Sequence, residues 1–383
     1  MELGSMDRTV ALVVGTRPEA VKIAPLVPAL LGAGLEPAVI DTGQQPGRVA
    51  EALAPFGIAP DGSLGLQRQD GSLNELISLA ITAVDSYLRA QRPAAVLVQG
   101  DTSTAMAVGL AAAMLSIPVV HLEAGLRTGD RSQPFPEETN RTLLADLADL
   151  HLAPTPLAAR ALGREGRSGD TVVVTGNTVV DALQDLLPRI IDRPLVDAIS
   201  WRGEGRLLAV TVHRREAWGE GVRTVAGAVR TLLEQHPDLH AVVVTHPNPA
   251  VAADVRTVLA GVPRCDLLPP LPYDDMLALL HRADVSLTDS GGIQEEAPTL
   301  RLPVVVARSV TERPEGIEAG WATLVGLDAE LMVKAVSERL ANRSLPPSAA
   351  NPYGDGRASE RCAQAISWLL GSAERPTDWV PGT

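Results

Sequence analysis

Only two cysteines, Cys265 and Cys362, occur in the 383 residues. They are too few and too far apart for a disulfide framework or a thiolate metal site, which suits a reducing cytoplasm. No apolar run is long enough to span a bilayer, and no signal peptide is recognisable. A formal charge of −13 argues against nucleic acid and anionic membranes as partners, so any phosphate site must be built locally. Neither a dinucleotide fingerprint nor a Walker A loop is present. The histidines show no metal-ligand spacing, and no Ser-His-Asp unit is apparent. Lysine is nearly missing as well: beyond Lys22 and Lys334 every basic side chain is arginine, the bias of a GC-rich genome. A lysine beside a glycine turn, as Lys22 is, therefore stands out. Met1 to Ser5 reads as an appended leader ending in Gly-Ser, with Met6 as the natural start.

What is present is a regular α/β pattern of ordinary globular hydrophobicity, 45% apolar, in a chain long enough for two domains. The central stretch is 99–141. Residues 94–98 form a short apolar strand, and Gly100-Asp101-Thr102 turns it into a helix starting near Ser103. Residues 119–122 are the next strand and end at Glu123. Pro134 and Pro136 stiffen the following loop, and Glu137-Glu138 open another helix. Asp101, Glu123 and Glu137 thus reach one rim, the carboxyl edge where open α/β sheets bind ligands.

The same alternation runs through the first half. Residues 10–14 form a strand, and Gly15-Thr16-Arg17-Pro18-Glu19 turns it into a helix whose N-terminus, flanked by Arg17 and Lys22, is an anion site. Residues 37–41 are a strand ending in Thr42-Gly43-Gln44-Gln45. Residues 55–71 read as loop, 73–90 as an amphipathic helix, 151–153 and 172–174 as strands. A Pro, Asp and Gly rich linker is expected over 188–204. A second series follows, with strands at 207–212, 241–245, 266–268, 285–288 and 304–307, and a tail helix at 358–370. The fold class is α/β, two doubly wound Rossmann-like domains facing across a cleft, at 7–185 and 205–357, with a tail at 358–372.

The second domain carries its own chemistry. Asp289-Ser290-Gly291-Gly292 between strand and helix offers backbone N–H groups to a diphosphate, and Glu296 one turn on can accept from ribose hydroxyls. His213 ends a strand beside two arginines and reads as functional, whereas His121, inside an apolar strand, reads as structural.

Together these motifs resemble the non-hydrolysing UDP-N-acetylglucosamine 2-epimerases of bacteria, which have a glycosyltransferase-B-like architecture. The matching pieces are Gly15-Thr16-Arg17-Pro18-Glu19, Gly100-Asp101-Thr102, Glu123-Ala124-Gly125-Leu126-Arg127-Thr128 and Pro134-Phe135-Pro136-Glu137-Glu138-Thr139-Asn140-Arg141. Thr175-Gly176-Asn177-Thr178, His213-Arg214-Arg215-Glu216, residues 288–298 and Thr311-Glu312-Arg313-Pro314-Glu315 complete the match. The resemblance implies elimination of UDP after loss of the C2 proton, a 2-acetamidoglucal intermediate, and re-addition after reprotonation on the other face. It implies catalysis by Asp101, Glu123, Glu137 and His213. Arg17, Lys22, Ser290, Gly291 and Gly292 would hold the diphosphate, Glu296 the ribose and Arg313 the anionic rim, with Leu271 and Met276 near the base. Gln44, Gln45, Glu138, Arg214 and His246 would belong to a regulatory site. It further implies no metal and no cofactor, a UDP-sugar as the small-molecule partner, a homodimer, and a tail helix crossing back onto the first domain.

Three departures bear on affinity and regulation. Gln45 followed by Pro46 replaces the family's frequent His after Thr-Gly-Gln, Met276 stands where an aromatic often faces the uracil, and Ala217-Trp218 follows Glu216. Other outcomes compatible with this sequence are a hydrolysing 2-epimerase, an epimerase of a modified UDP-sugar, a glycosyltransferase and a non-catalytic nucleotide-sugar-binding regulator.

Overall fold

The computed structural model describes residues 8–69, 71–214, 217–342 and 350–382; residues 1–7, where a leader is expected, and the motif residues Arg215 and Glu216 lie outside these. The chain divides into two compact units. One comprises the chain through Asp185 and again from Tyr353 onward, the other Leu186–Pro352.

In the first unit the strands are β1 Thr9–Val14, β2 Glu36–Asp41, β3 Gly62–Ser63, β4 Ala95–Gln99, β5 Val119–Leu122, β6 Leu150–Ala153 and β7 Val172–Val174. Its helices are α1 Arg17–Ile23, α2 Leu26–Gly32, α3 Arg48–Leu53, α4 Leu73–Gln91, α5 Ser103–Met114, α6 Glu137–Leu147 and α7 Pro156–Arg164. Helix α8, Thr178–Ile190, carries the chain into the second unit. The sheet order is β3-β2-β1-β4-β5-β6-β7, with parallel pairing. The direction of winding reverses between β1 and β4, so the loops after these strands diverge and leave the crevice that ligands use in such sheets.

The second unit repeats the scheme. Its strands are β8 Arg206–Thr211, β9 Leu239–Val244, β10 Cys265–Leu268, β11 Val285–Thr288, β12 Val304–Val306 and β13 Ala322–Leu324. Its helices are α9 Glu220–Gln235, α10 Pro249–Leu259, α11 Tyr273–Arg282, α12 Gly291–Leu300, α13 Pro314–Glu318 and α14 Ala329–Ala341. The order β10-β9-β8-β11-β12-β13 places its switch between β8 and β11. The expected class, two Rossmann-like doubly wound units, is the class observed.

Local sequence explains the central elements. Every residue of β4 is buried, so it reads as a continuous run and not as an alternation. Small residues in α5 allow close packing: a side-chain carbon at Gly109 would stand 2.8 Å from Leu144 Cδ2 of α6. Thr102 caps α5 by accepting from the Ala105 N–H at 3.0 Å.

Several elements differ from the sequence reading. The 55–71 stretch contains the two-residue edge strand β3, too short to leave a periodic signal. Helix α8 runs through Pro188 to Ile190, and the segment read as a linker docks on the second unit. There Arg193 Nε donates to Asp275 Oδ1 at 2.7 Å and Ser200 N to Asp266 Oδ2 at 2.6 Å. The return to the first unit comes at Tyr353, not 358, because Tyr353 O accepts from the Asn177 N–H at 2.7 Å. The tail helix α15, Ala358–Leu369, packs on α2 and β6 of the first unit. Asp181 of α8 caps it, accepting from Ser359 N at 2.7 Å and Ser359 Oγ at 2.6 Å. None of the helices among the described residues is long and apolar enough to cross a membrane.

Candidate active site

In the first unit the sequence-predicted acids occupy the loops around the switch point. Asp101 follows β4 and Glu123 follows β5, the adjacent strand. Glu123 has φ 64°, a left-handed conformation uncommon for a non-glycine residue. Its Oε2 accepts from Lys22 Nζ and from Gln99 Nε2, the latter at 2.6 Å. Lys22 and Glu123 are both buried, so Lys22, expected at the diphosphate, is the ion-pair partner of Glu123 in this structure. Gly125, two residues on, has φ 94° and lies so close to the Ala158 carbonyl of α7 that any side chain would clash.

Asp101 is held by Arg141, whose Nη2 lies 2.6 Å from Asp101 Oδ2. The same guanidinium donates through Nη1 to Glu138 Oε2 at 2.9 Å. Glu138 Oε1 accepts from the Thr128 and Gly129 N–H groups at 3.0 and 2.9 Å. Glu138, expected in a regulatory pocket, therefore braces the loop that leads from Glu123 to α6, and it is buried. Asn140 Nδ2 donates to the Asp101 carbonyl at 2.8 Å. Glu137, at the start of α6, is partly exposed, and the Gln133-Pro134 and Phe135-Pro136 bonds before it are cis.

A further acid, Glu19, ties two of these loops together. Its Oε2 accepts from Gly15 N at 2.8 Å and Thr16 N at 2.7 Å, and its Oε1 accepts from Thr102 Oγ1 at 2.7 Å. Burial pushes its carboxyl above the usual range, against the opposing pull of these donors. Arg17 is half-buried at the N-terminus of α1, Gln44 accepts from the Thr104 hydroxyl, and Gln45 is exposed. His121 is buried and bonds the Gly100 carbonyl through Nε2 at 2.7 Å, and burial pushes its pKa down to about 3. It serves structure, as its place within a strand suggests.

In the second unit the switch point carries His213 and Ser290. Fully buried Asp289 accepts from His213 N at 2.9 Å and Arg214 N at 2.8 Å, fixing the loop after β8. The rings of His213 and His246 have centroids 5.9 Å apart, and Trp218 meets His246 edge-on at 5.6 Å. His246 Nδ1 accepts from the Asn248 N–H at 2.9 Å, so its proton resides on Nε2, and burial lowers its pKa.

Ser290 caps α12, and Gly291 lies flush against Arg313, where a side-chain carbon would stand 2.6 Å from Nη1. Arg313 Nε donates to Glu295 Oε1 at 2.5 Å, and its Nη1 lies 2.8 Å from Glu312 Oε1. Glu312 also accepts from Arg308 Nη1 at 2.9 Å. The first-turn N–H groups of α12 lie beside the Arg313 guanidinium, which already pairs with Glu295 and Glu312. Glu296 is buried and accepts from the Tyr273 hydroxyl at 2.9 Å, while Gly292 is open to an approaching group. Leu271 and Met276 are half-buried at and before the start of α11. Among the described residues, no group of three or more His, Cys, Asp and Glu side chains is placed to hold a metal.

The model of the UDP-N-acetylglucosamine 2-epimerase family matches residues 31–367. The chain is 38% identical over 377 residues to the UDP-N-acetylglucosamine 2-epimerase of Bacillus subtilis, covering 97% of this chain and 98% of that one. The chain belongs to this family. Among solved structures, the UDP-GlcNAc 2-epimerase of Neisseria meningitidis bound to UDP-GlcNAc superposes with a TM-score of 0.86 at 35% identity, over 95% of this chain and 100% of that one. The UDP co-structure of MnaA from S. aureus gives 0.89 at 40% identity, over 98% and 100%.

Seen as a 2-epimerase family member, the chain has supporting residues that the sequence reading left without a role. Arg141 and Asn140 lie within a matched motif, and Arg141 stands three residues after Glu138, the spacing of a helical ion pair. Glu19 forms a capping box with Thr16, visible as Thr-x-x-Glu. Gln99, Tyr273 and Glu295 left no pattern, because each acts on a partner distant in sequence.

Proposed function

We propose that the protein inverts C2 of UDP-N-acetylglucosamine, giving UDP-N-acetylmannosamine, through elimination and re-addition of UDP. In the forward sense a side-chain base takes the C2 proton, the C2–H electron pair becomes the C1=C2 bond, and the C1–O bond breaks with its pair on UDP. On return a proton is delivered to the opposite face of C2 and a UDP oxygen bonds C1. Oxidation states are unchanged overall, so the proposal includes no cofactor. The observation that supports this reading most is the fixed Glu123 carboxylate just after β5, the strand paired with the one that leads to Asp101. Proton transfer at a carbon needs acid/base groups held within hydrogen-bond reach, and two-sided transfer needs more than one.

We assign the proton chemistry to Asp101, Glu123, Glu137 and His213. Arg17, Ser290, Gly291 and Gly292 bind the diphosphate, Arg313 lends its charge behind Gly291, Glu296 takes the ribose, and Leu271 and Met276 face the base. Lys22 acts at Glu123. Gln44, Gln45, Glu138, Arg214 and His246 are the candidates for binding a second sugar nucleotide, Glu138 through the loop it braces. The proposal takes the enzyme as a cytoplasmic homodimer.

Incubation with UDP-N-acetylglucosamine in deuterated water, followed by proton NMR, tests the function. Both UDP-sugars should appear, each with deuterium at C2. Full retention of protium in the product overturns elimination, and release of free N-acetylmannosamine as the main product points to the hydrolysing alternative.

A further inference from the structure

Gln99, the last residue of β4, is registered opposite Leu122, the last of β5. The backbone then turns left-handed at Glu123, a conformation that persists in a non-glycine residue only where its surroundings hold it. At that turn the carboxylate meets two donors on one oxygen, the Lys22 ammonium and the Gln99 amide, the latter at 2.6 Å. Gln99 is 4% exposed, Lys22 5% and Glu123 8%. Every other residue of β4 is apolar, so packing alone does not call for an amide at its end.

The chemistry of the three groups divides the work. A carboxylate oxygen only accepts, so Gln99 presents its NH₂ edge to Glu123. Lys22 supplies charge but sits on a flexible stem with three rotatable donors. The planar amide adds no charge and adds direction, from a strand in the middle of the sheet. Proton transfer at carbon is steep in the position of the accepting oxygen, and a displacement of about 1 Å is enough to lose about 10²-fold in rate.

We infer that Gln99 is a positioning residue for the C2 proton transfer, fixing the orientation of the Glu123 carboxylate through its amide N–H. The inference rests on the assignment of proton chemistry to Glu123. Gln99 does not touch the reacting carbon; it acts through Glu123.

A double-mutant cycle tests this. The measurements are kcat, KM, deuterium incorporation at C2 and melting temperature for the wild type, Gln99→Met, Glu123→Gln and the double variant. Methionine keeps the length of the side chain and removes the donor. Gln99→Met should lower kcat and deuterium incorporation together by about tenfold, with KM and melting temperature near the wild type. In the Glu123→Gln background the same change should add no further loss, because the group it orients is already gone. A kcat for Gln99→Met within about twofold of the wild type overturns the inference, as do losses that multiply in the double variant. Should Gln99→Met fail to fold, Gln99→Leu, which also lacks the donor and adds no charge, replaces it in the cycle, with the same expected loss and the same overturning results. A Glu123→Gln variant of full activity removes the assignment of Glu123 and this inference with it. An impaired Glu123→Gln beside a normal Gln99→Met removes this inference alone.

Discussion

Arg141 Nη2 lies 2.6 Å from Asp101 Oδ2, and the same guanidinium holds Glu138 through its other end nitrogen at 2.9 Å. One buried cation thus joins the turn after β4 to the first turn of α6. Its side chain is 4% exposed, and the two carboxylates it bridges carry one more negative charge than it neutralises. Arg141→Met should therefore reduce both activity and stability, the latter by about 3–5 kcal/mol, the scale for breaking a buried pair. Arg141→Lys should recover only part, since an ammonium cannot present the planar fork that spans both acids. Thermal melts beside kcat check this; a stable and fully active Arg141→Met shows that Asp101 needs no such anchor.

The acids themselves separate more sharply. Asp101→Asn, Glu137→Gln and His213→Ala should each lower kcat by roughly 10²-fold or more, the scale for losing acid–base help. His213→Ala leaves its backbone N–H on Asp289, so the β8 loop should persist. Steady-state kinetics with circular dichroism decide each case, and a variant with near-normal kcat leaves the mechanism.

Much of this arrangement is legible in the chain. The strand-to-helix turns carry short signals, such as Gly100-Asp101-Thr102 and Ser290-Gly291-Gly292, that mark where the rims lie. What is not legible is pairing across long separations. Lys22 and Glu123 stand 101 residues apart, and Gln99 and Glu123 stand 24 apart, so no periodicity links them. The Pro188 stretch misleads for a different reason. A proline near a helix end loses only one of the last backbone bonds, so α8 continues through it to Ile190.

Base recognition should respond to residue 276. Met276 is half-buried near the start of α11, and a thioether packs on a ring without offering a flat face. Met276→Phe should tighten UDP binding by an amount on the order of 1 kcal/mol and leave kcat little changed. Calorimetric titration with UDP measures it. Unchanged affinity places the base elsewhere.

Two neutral histidines should make the fold acid-labile. His121 and His151 are registered across β5 and β6, and burial pushes their pKa values down to about 3 and about 4. The unfolded chain binds their protons near pH 6.5, whereas the folded chain does not until lower pH. Their contribution is therefore complete above pH 6.5 and is lost as pH falls toward those values, at about 1.4 kcal/mol per histidine per pH unit. Urea melts between pH 7.5 and about 5 should show the decline. His121→Gln should flatten the slope, since glutamine does not titrate. An unchanged slope would assign the acid lability to other groups.

Regulation is the most specific consequence of the Gln45 departure. In the proposed regulatory site, a second UDP-N-acetylglucosamine would bind near Thr42-Gly43-Gln44-Gln45 and favour the active conformation. Here Gln45 is exposed and Pro46 and Gly47 follow, with Gly47 in the left-handed region as the cap of α3. Gln44 is engaged within the first unit, accepting from the Thr104 hydroxyl. The ionisable ring is replaced by a neutral amide, and the backbone beyond it is set by proline. A ligand shifts a conformational equilibrium only by its differential affinity for the two states, so losing one contact shrinks the coupling. Near-hyperbolic forward kinetics and measurable reverse turnover from UDP-N-acetylmannosamine alone are expected. Initial rates in both directions, with and without added UDP-N-acetylglucosamine, provide the check. Gln45→His should restore dependence on the activator if the lost ring is the cause. Strongly sigmoidal forward kinetics in the unaltered protein, with reverse turnover strictly dependent on added UDP-N-acetylglucosamine, would show that the second site is held by residues other than 45.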